Sequence, residues 1–220
     1  MTTASADDAE RLPLIDQPGS RPVVQREHRV RGAKWDVVTD RVQLDGDTEV
    51  ARDLVLHPGA VGIVTLDDEE RVTIIRQYRH PVAADLWEIP AGLLDEPGES
   101  PVSTAQRELV EEVGLRASTW HTVVDLYSSP GMSSETIRVF LARGLSEVDP
   151  GDRPEPKDEE RFLIVRRVDL DEAIDQVMGG RIHNSLAVAA LLATAEARRQ
   201  GWGSLRPADD RWPAPTWPMA

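Results

Sequence analysis

Glu108, Glu111 and Glu112 are the residues of this sequence whose types and spacing most directly suggest chemistry. On an α-helix, with ~100° between successive residues, the three carboxylates share one side while Ala105, Leu109 and Val113 point elsewhere. Like charges at this spacing repel by roughly 0.2–0.5 kcal/mol per pair, a cost that grows if the face lines a cleft. A hard divalent cation, Mg2+ or Mn2+, removes the repulsion and takes carboxylate oxygens as ligands. A solvated acidic helix face accounts for the same three residues, and spacing alone leaves both readings open.

The surrounding sequence predicts the helix that must carry them. Ser100 is an N-cap type followed by Pro101, which suits the first helical position; Val102, Ala105, Leu109 and Val113 recur at helical spacing, and Gly114 stops the run. Ahead of it lie five strand-like stretches, 23–30, 35–44, 49–57, 60–66 and 72–78, with the polar turn 67–70 between the last two. Behind it, strand candidates 120–127 and 136–143 flank the loop 128–135. An acidic, proline-bearing loop over 149–160 leads into a strand over 162–168. Asp169 and Glu172 have capping-box spacing, and 185–199 reads as an amphipathic helix. Strands, one helix, strands and then helices predict an α+β fold with a mixed sheet and helices packed against it. Residues 1–20 are polar and are expected to form a mobile arm. The stretch 203–220 holds four prolines and two tryptophans, so irregular backbone with its tryptophans packed on the body is expected there.

Composition narrows the partners. Asp and Glu number 39 against 25 Lys and Arg, a formal charge of -14, which disfavours nucleic acids and anionic membrane surfaces. A polyanionic substrate would then need a locally recruited cation. The chain has no cysteine, which excludes disulfides, thiolate nucleophiles and Cys-ligated metals. Neither a membrane span nor a signal-peptide pattern is evident, and the protein is expected to be soluble and cytoplasmic. His57, His80, His121 and His183 show no zinc-ligand spacing and are assigned no catalytic role.

Taken together, Gly92, Glu99, Arg107, Glu108, Leu109, Glu111, Glu112, Gly114 and Leu115 closely resemble the signature of the Nudix hydrolase family. One departure exists: six residues rather than five separate Gly92 from Glu99, a difference the turn at Pro97 and Gly98 can absorb. The resemblance implies the Nudix fold, a mixed β-sheet sandwiched between helices, and hydrolysis of a nucleoside diphosphate linked to another group with Mg2+ or Mn2+. It implies that Glu108 and Glu112 are metal ligands, with Glu111 contributing directly or through water and the Ala91 carbonyl adding another. It also implies that Arg107 pairs with Glu99 to brace the loop on the helix.

Pro130, fifteen residues past Leu115, and the stretches 76–79, 86–92 and 180–185 resemble the ADP-ribose pyrophosphatase branch, over about residues 24–200. That branch implies Arg79 and Arg52 on the diphosphate and Gly131 and Glu135 at the terminal ribose. Trp35 is a candidate for stacking on adenine, and a core or interface tryptophan is the competing reading. A water-activating glutamate on the acidic loop is implied as well, Glu159 by its distance from the following strand, with Glu160 beside it; such a loop must close as a lid. Residues 21–57 exceed what the catalytic domain at 58–200 needs, and the resemblance implies an antiparallel sheet that builds a homodimer. A pyrophosphatase for another nucleotide sugar such as GDP-mannose, or a nucleotide-sensing domain without catalysis, are the alternatives.

Overall fold

The computed structural model describes residues 13–17, 19–155 and 158–212, excepting the side chains of Asp158 and Glu159. Most of the expected arm and residues 213–220 of the expected tail lie outside that range. The chain opens with an antiparallel sheet of β1 (Val23–Arg31), β2 (Asp36–Gln43) and β3 (Glu49–Leu56), in that spatial order. Of its residues only Val38 and Asp40 are buried, the latter held by Arg26 through two hydrogen bonds of 2.7 and 2.8 Å. This sheet has almost no core of its own within one chain.

Next come β4 (Ala60–Thr65), buried along its whole length, and β5 (Arg71–Arg79). Two further strands, β6 (Ala84–Glu88) and β7 (Ala91–Leu93), were not expected from the sequence. Pro90 interrupts the run, leaving each piece too short for a clear period. Partners supply the extended state instead, β5 for β6 and β4 for β7.

Helix α1 (Pro101–Val113) starts where its caps predict. The Ser103 N–H donates to the Ser100 hydroxyl, Pro101 takes the first turn, and Gly114 closes the helix at φ 66°, its N–H donating to the Leu109 and Val110 carbonyls. The following strands β8 (Leu115–Tyr127) and β9 (Thr136–Glu147) run longer than predicted. Their pairing continues past the apolar runs to Leu115 and Glu147, so cross-strand bonds rather than apolar periodicity define these ends. A short 3-10 segment, Asp158–Phe162, replaces the expected start of β10 (Ile164–Asp169). Helices α2 (Leu170–Met178) and α3 (Ser185–Arg199) complete the body, and β11 (Arg206–Pro207) joins the free edge of β8.

The central sheet has the order β11-β8-β9-β4-β7, with β4 and β9 parallel and the other pairs antiparallel; β10-β5-β6 form a second, antiparallel sheet. Alternation along β4 and β9 divides the core. Val61, Ile63, Phe140 and Ala142 meet Ala105 and Leu109 of α1, whereas Val64, Val139 and Leu141 meet Ala187, Ala190 and Leu191 of α3. The expected mixed sheet between helices is thus the observed architecture. Gly62 permits close approach of α3, since a Cβ there would lie 2.9 Å from Leu186 Cδ1.

Two expectations need correction. Asp169 is the N-cap of α2, yet its side chain makes no capping hydrogen bond, and Glu172 instead accepts from Arg166 at 2.9 Å. The start of the tail is also regular rather than irregular where β11 pairs, and it is strapped to the body. Buried Arg138 grips Asp125 at 2.8 and 3.1 Å, donates to the Asp210 carbonyl at 2.6 Å and lies 5.2 Å from the Trp212 ring centroid. Among the described residues no helix is long and apolar enough to cross a membrane.

Leu109 is fully buried between α1 and the sheet. Leu109→Ala should lower the unfolding free energy by about 2–5 kcal/mol, as read from a shifted denaturant midpoint at unchanged slope.

Candidate active site

The site is where the first turns of chain after β6 pass under α1. The Ala91 N–H donates to Glu112 Oε2 at 3.0 Å, tying β7 to the helix. One residue on, a Cβ at Gly92 would fall 2.1 Å from Glu108 Cγ and 2.3 Å from its carboxyl carbon, so the absence of a side chain at 92 makes the space that Glu108 fills. Both carboxyl groups are consequently taken out of water. Burial, opposed by Arg107 and reinforced by Glu111 and Glu160, pushes the Glu108 carboxyl from 4.5 up to about 7. Burial pushes Glu112 to about 8, with the Ala91 N–H and Arg79 acting the other way and Glu108 and Glu160 adding to the rise.

Arg107 joins the loop to the helix. Its guanidinium donates to Glu99 at 3.2 and 3.1 Å, and the same side chain reaches Glu108 at 2.7 Å and Glu111 at 3.0 Å. Glu99 is further held by the Thr104 hydroxyl at 2.9 Å, and these bonds, led by Arg107, keep its carboxyl below the usual range. The carboxylates therefore differ in kind: Glu99 is neutralised by a guanidinium, whereas Glu108 and Glu112 are crowded together in a place that disfavours their charge. Among the described residues no three acidic or imidazole groups converge as a finished metal cage. The fold prepares a buried carboxylate pair, and Arg107 engages Glu108 and Glu111. An all-oxygen donor set of this kind suits a hard cation such as Mg2+ or Mn2+, whose charge would offset the crowding.

Around this pair stand two groups from other elements. Arg79, at the end of β5, lies close enough to Glu112 to favour its charged form, and it donates to buried Glu88 of β6 at 2.8 and 2.6 Å. Glu88 also accepts from Gln77 at 3.2 Å. Glu160, in the 3-10 segment before β10, acts electrostatically on both Glu108 and Glu112. The Glu159 side chain lies outside the described residues. Arg153 of the same acidic loop donates to the Glu112 carbonyl at 2.9 Å, anchoring the loop on the C-terminal end of α1.

A second cluster gathers at the loop 128–135. Glu135 accepts from the Ser128 hydroxyl and lies 3.2 Å from His57 Nε2. The His57 ring stacks on Trp35, with centroids 4.4 Å apart and planes 12° from parallel. Gly131 stands at the open tip of the loop, with nothing within 4 Å of a Cβ there. Arg52 lies exposed on β3 and donates to its neighbour's carbonyl, that of Ala51, at 2.8 Å. Within one chain, then, the structure gathers Ala91, Gly92, Glu99, Arg107, Glu108, Glu111, Glu112, Arg79 and Glu160 in one region and Trp35 and Glu135 in a neighbouring one joined by His57. Sequence reasoning missed Glu88, Arg153 and His57. A carboxylate inside the otherwise apolar stretch 86–91 was the available signal for Glu88; for Arg153 and His57 no local signal exists, since their roles depend on contacts far along the chain.

This fold and this helix define a Nudix protein. Residues 56–187 match the NUDIX domain, and the chain belongs to the Nudix family. It is 46% identical over 181 residues to an ADP-ribose pyrophosphatase of Mycobacterium tuberculosis (strain ATCC 25618 / H37Rv), covering 82% of this chain and 86% of that protein. An ADP-ribose pyrophosphatase of Bacillus subtilis (strain 168) is 33% identical over 168 residues, 76% of this chain and 89% of that one. Among solved structures, a crystal structure of an ADP compounds hydrolase superposes with a TM-score of 0.66 at 23% identity, covering 86% of this chain and all of that one, and so shares the fold.

Two outcomes follow from the buried pair. Both carboxyls have folded values above the 4.5 of an unfolded glutamate, so the unfolded chain loses these protons first. Their stabilising contribution is fully present below about 4.5 and is lost as pH rises through about 7 to 8. In chelator, the melting temperature of the wild type should therefore fall from pH 5.5 to pH 8.5 by more than that of Glu112→Gln, as followed by circular dichroism. Gly92→Ala should expel the Glu108 side chain and weaken the stabilisation conferred by Mn2+ by at least about tenfold in apparent affinity, with an unchanged far-ultraviolet spectrum.

Proposed function

We propose that the protein is a divalent-metal-dependent hydrolase that converts ADP-ribose and water to AMP and ribose 5-phosphate. The observation that carries the reaction class is the pair of buried carboxylates, Glu108 and Glu112, held beside β7 at the cost of their charge. The choice of substrate is supported by the ADP-ribose pyrophosphatase to which 82% of this chain aligns at 46% identity.

Glu108 and Glu112, with Glu111 and the Ala91 carbonyl beside them, are the groups that hold Mg2+ or Mn2+. When bound, such a cation offsets diphosphate charge and makes water a better nucleophile. The rest is the work of side chains. Arg107, gripped by Glu99, sets the position of Glu108 and Glu111. Arg79, aimed by Glu88, meets the diphosphate, and the two hydrogen bonds from its guanidinium to a buried carboxylate limit its freedom before substrate arrives. The base that accepts a proton from water is Glu159 or Glu160 of the acidic loop; proximity of Glu160 to Glu108 and Glu112 supports a lid whose carboxylates enter the site. Glu135 and Gly131 contact the terminal ribose, and Trp35 offers an aromatic face for adenine.

The division into an arm at 1–20, a dimerisation sheet at 21–57, a catalytic domain at 58–200 and a tail at 201–220 belongs to the same reading. Exposed Val23, Val24 and Val30 on a sheet that buries only two of its own residues support a homodimer, with Arg52 reaching the partner's site. Lack of cysteine suits a reducing cytoplasm.

A substrate panel of ADP-ribose, GDP-mannose, NADH, diadenosine polyphosphates and dNTPs, each with Mg2+ and with Mn2+, tests the reading. ADP-ribose should be turned over fastest, with AMP and ribose 5-phosphate as products; activity confined to GDP-mannose overturns the substrate, and inactivity on all of them favours a sensor. Glu112→Gln should lower kcat by more than about a hundredfold in a folded protein. Glu159→Gln and Glu160→Gln, made separately, identify the base as the one that lowers kcat by about 10²–10⁴-fold while metal affinity holds. Light scattering after size exclusion should give twice the chain mass of 24.4 kDa.

A further inference from the structure

His57 is largely buried, with 9% of its side chain exposed, and the hydrolytic machinery above makes no use of it. It follows the last residue of β3, where the N-terminal sheet is sewn to the loop 128–135. The Val55 N–H donates to the Met132 carbonyl at 2.9 Å, the Ser134 N–H to the Val55 carbonyl at 3.0 Å, and the His57 N–H to the Ser134 hydroxyl at 2.9 Å. The imidazole is constrained on three sides. The Gly59 N–H donates to Nδ1 at 3.0 Å, so the ring proton resides on Nε2; Nε2 lies 3.2 Å from Glu135 Oε1; and Trp35 covers one face of the ring. On the other side of the carboxylate, Oε2 accepts from the Ser128 hydroxyl.

Glu135 Oε2 thus has the Ser128 hydroxyl as donor, Oε1 has the His57 ring nitrogen 3.2 Å away, and both oxygens keep acceptor capacity. Two such oxygens on one carboxylate match the two O–H groups of a vicinal diol, a geometry that a freely rotating side chain on a loop would hold only part of the time. Burial lowers the basicity of His57, more than the neighbouring carboxylate restores it, which suits a neutral ring that orients Glu135 without neutralising it.

We propose that His57 is the positioning residue of the sugar-binding carboxylate: the Nε2–H, fixed in tautomer by Gly59 and in plane by Trp35, holds Glu135 in the rotamer that accepts both hydroxyls of a vicinal diol on the substrate. This rests on the reading of Glu135 as a ribose contact. It makes the N-terminal sheet, through the end of β3 and the Trp35 stack, part of the sugar site rather than a dimerisation device alone.

A double-mutant cycle on the full chain tests it, with ADP-ribose as substrate and thermal unfolding as the check on folding. His57→Phe keeps an aromatic ring against Trp35 but has neither ring nitrogen, and should raise KM roughly tenfold with kcat within about twofold. His57→Gln retains an N–H donor of similar reach and should bring KM back to within about threefold of wild type. Because His57 acts through Glu135, the double variant His57→Phe with Glu135→Gln should be no worse than Glu135→Gln alone. Multiplied effects in the double variant, or a wild-type KM for His57→Phe while Glu135→Gln raises it, overturn the role of His57 and leave the ribose reading standing. A wild-type KM for Glu135→Gln removes the ribose reading itself, and the proposal with it.

Discussion

The constraint on which the rest of the molecule depends is the burial of two carboxylates, Glu108 and Glu112, against a strand with no side chain at Gly92. Carboxylates prefer water, and removing two neighbouring ones from it is unfavourable unless a charge compensates. The chain accepts this because α1 is held from its other side by apolar residues: Ala105 and Leu109 are completely buried against β4 and β9. Core packing on one face of the helix thus enforces electrostatic strain on the opposite face. Protonation relieves that strain, as the raised Glu108 and Glu112 carboxyls show, and a bound cation would relieve it in the same way.

The neighbouring groups are arranged in the same manner, each carboxylate or guanidinium being aimed by one from another element. Glu99 restrains Arg107, Glu88 restrains Arg79, and Asp125 restrains Arg138. Bidentate guanidinium–carboxylate pairs fix direction as well as distance, so they hold long side chains in one orientation at small loss of further entropy. The Arg138 pair does this away from the carboxylate helix: with Asp210 and Trp212 it clamps the C-terminal segment near the loop end of the β8–β9 hairpin, whose tip is the loop that bears Glu135. The net charge of -14 therefore has two components, a solvated surface excess and a small set of acids whose surroundings give each a separate task.

The five strands predicted ahead of the glutamate-bearing helix, and that helix itself, correspond closely to β1 to β5 and α1, because each carries its own signal in alternation, turn residues or caps. The short strands β6 and β7, the outer parts of β8 and β9, and the pairing of β11 carry no such signal, since their extension comes from a partner strand. In the site the same division holds. Three glutamates at helical spacing and the glycine before them stand within twenty-one residues of one another (92 to 112), so local geometry exposes them. Glu88 beside Arg79 is separated by nine positions across a hairpin, and Arg153 reaches Glu112 from forty-one positions away.

What the sequence by itself determined was the family, the carboxylate-bearing helix and the longer strands and helices, because these are written at short range in periodicity, capping and a spaced motif. Tertiary structure alone decided which of the acids are buried, which are neutralised by an arginine, and that His57 stands between Trp35 and Glu135, residues twenty-two positions before it and seventy-eight after it. The physical reason is that charge state and orientation are set by solvent exclusion and by the nearest polar partner, and both depend on the folded chain bringing distant segments within hydrogen-bonding distance.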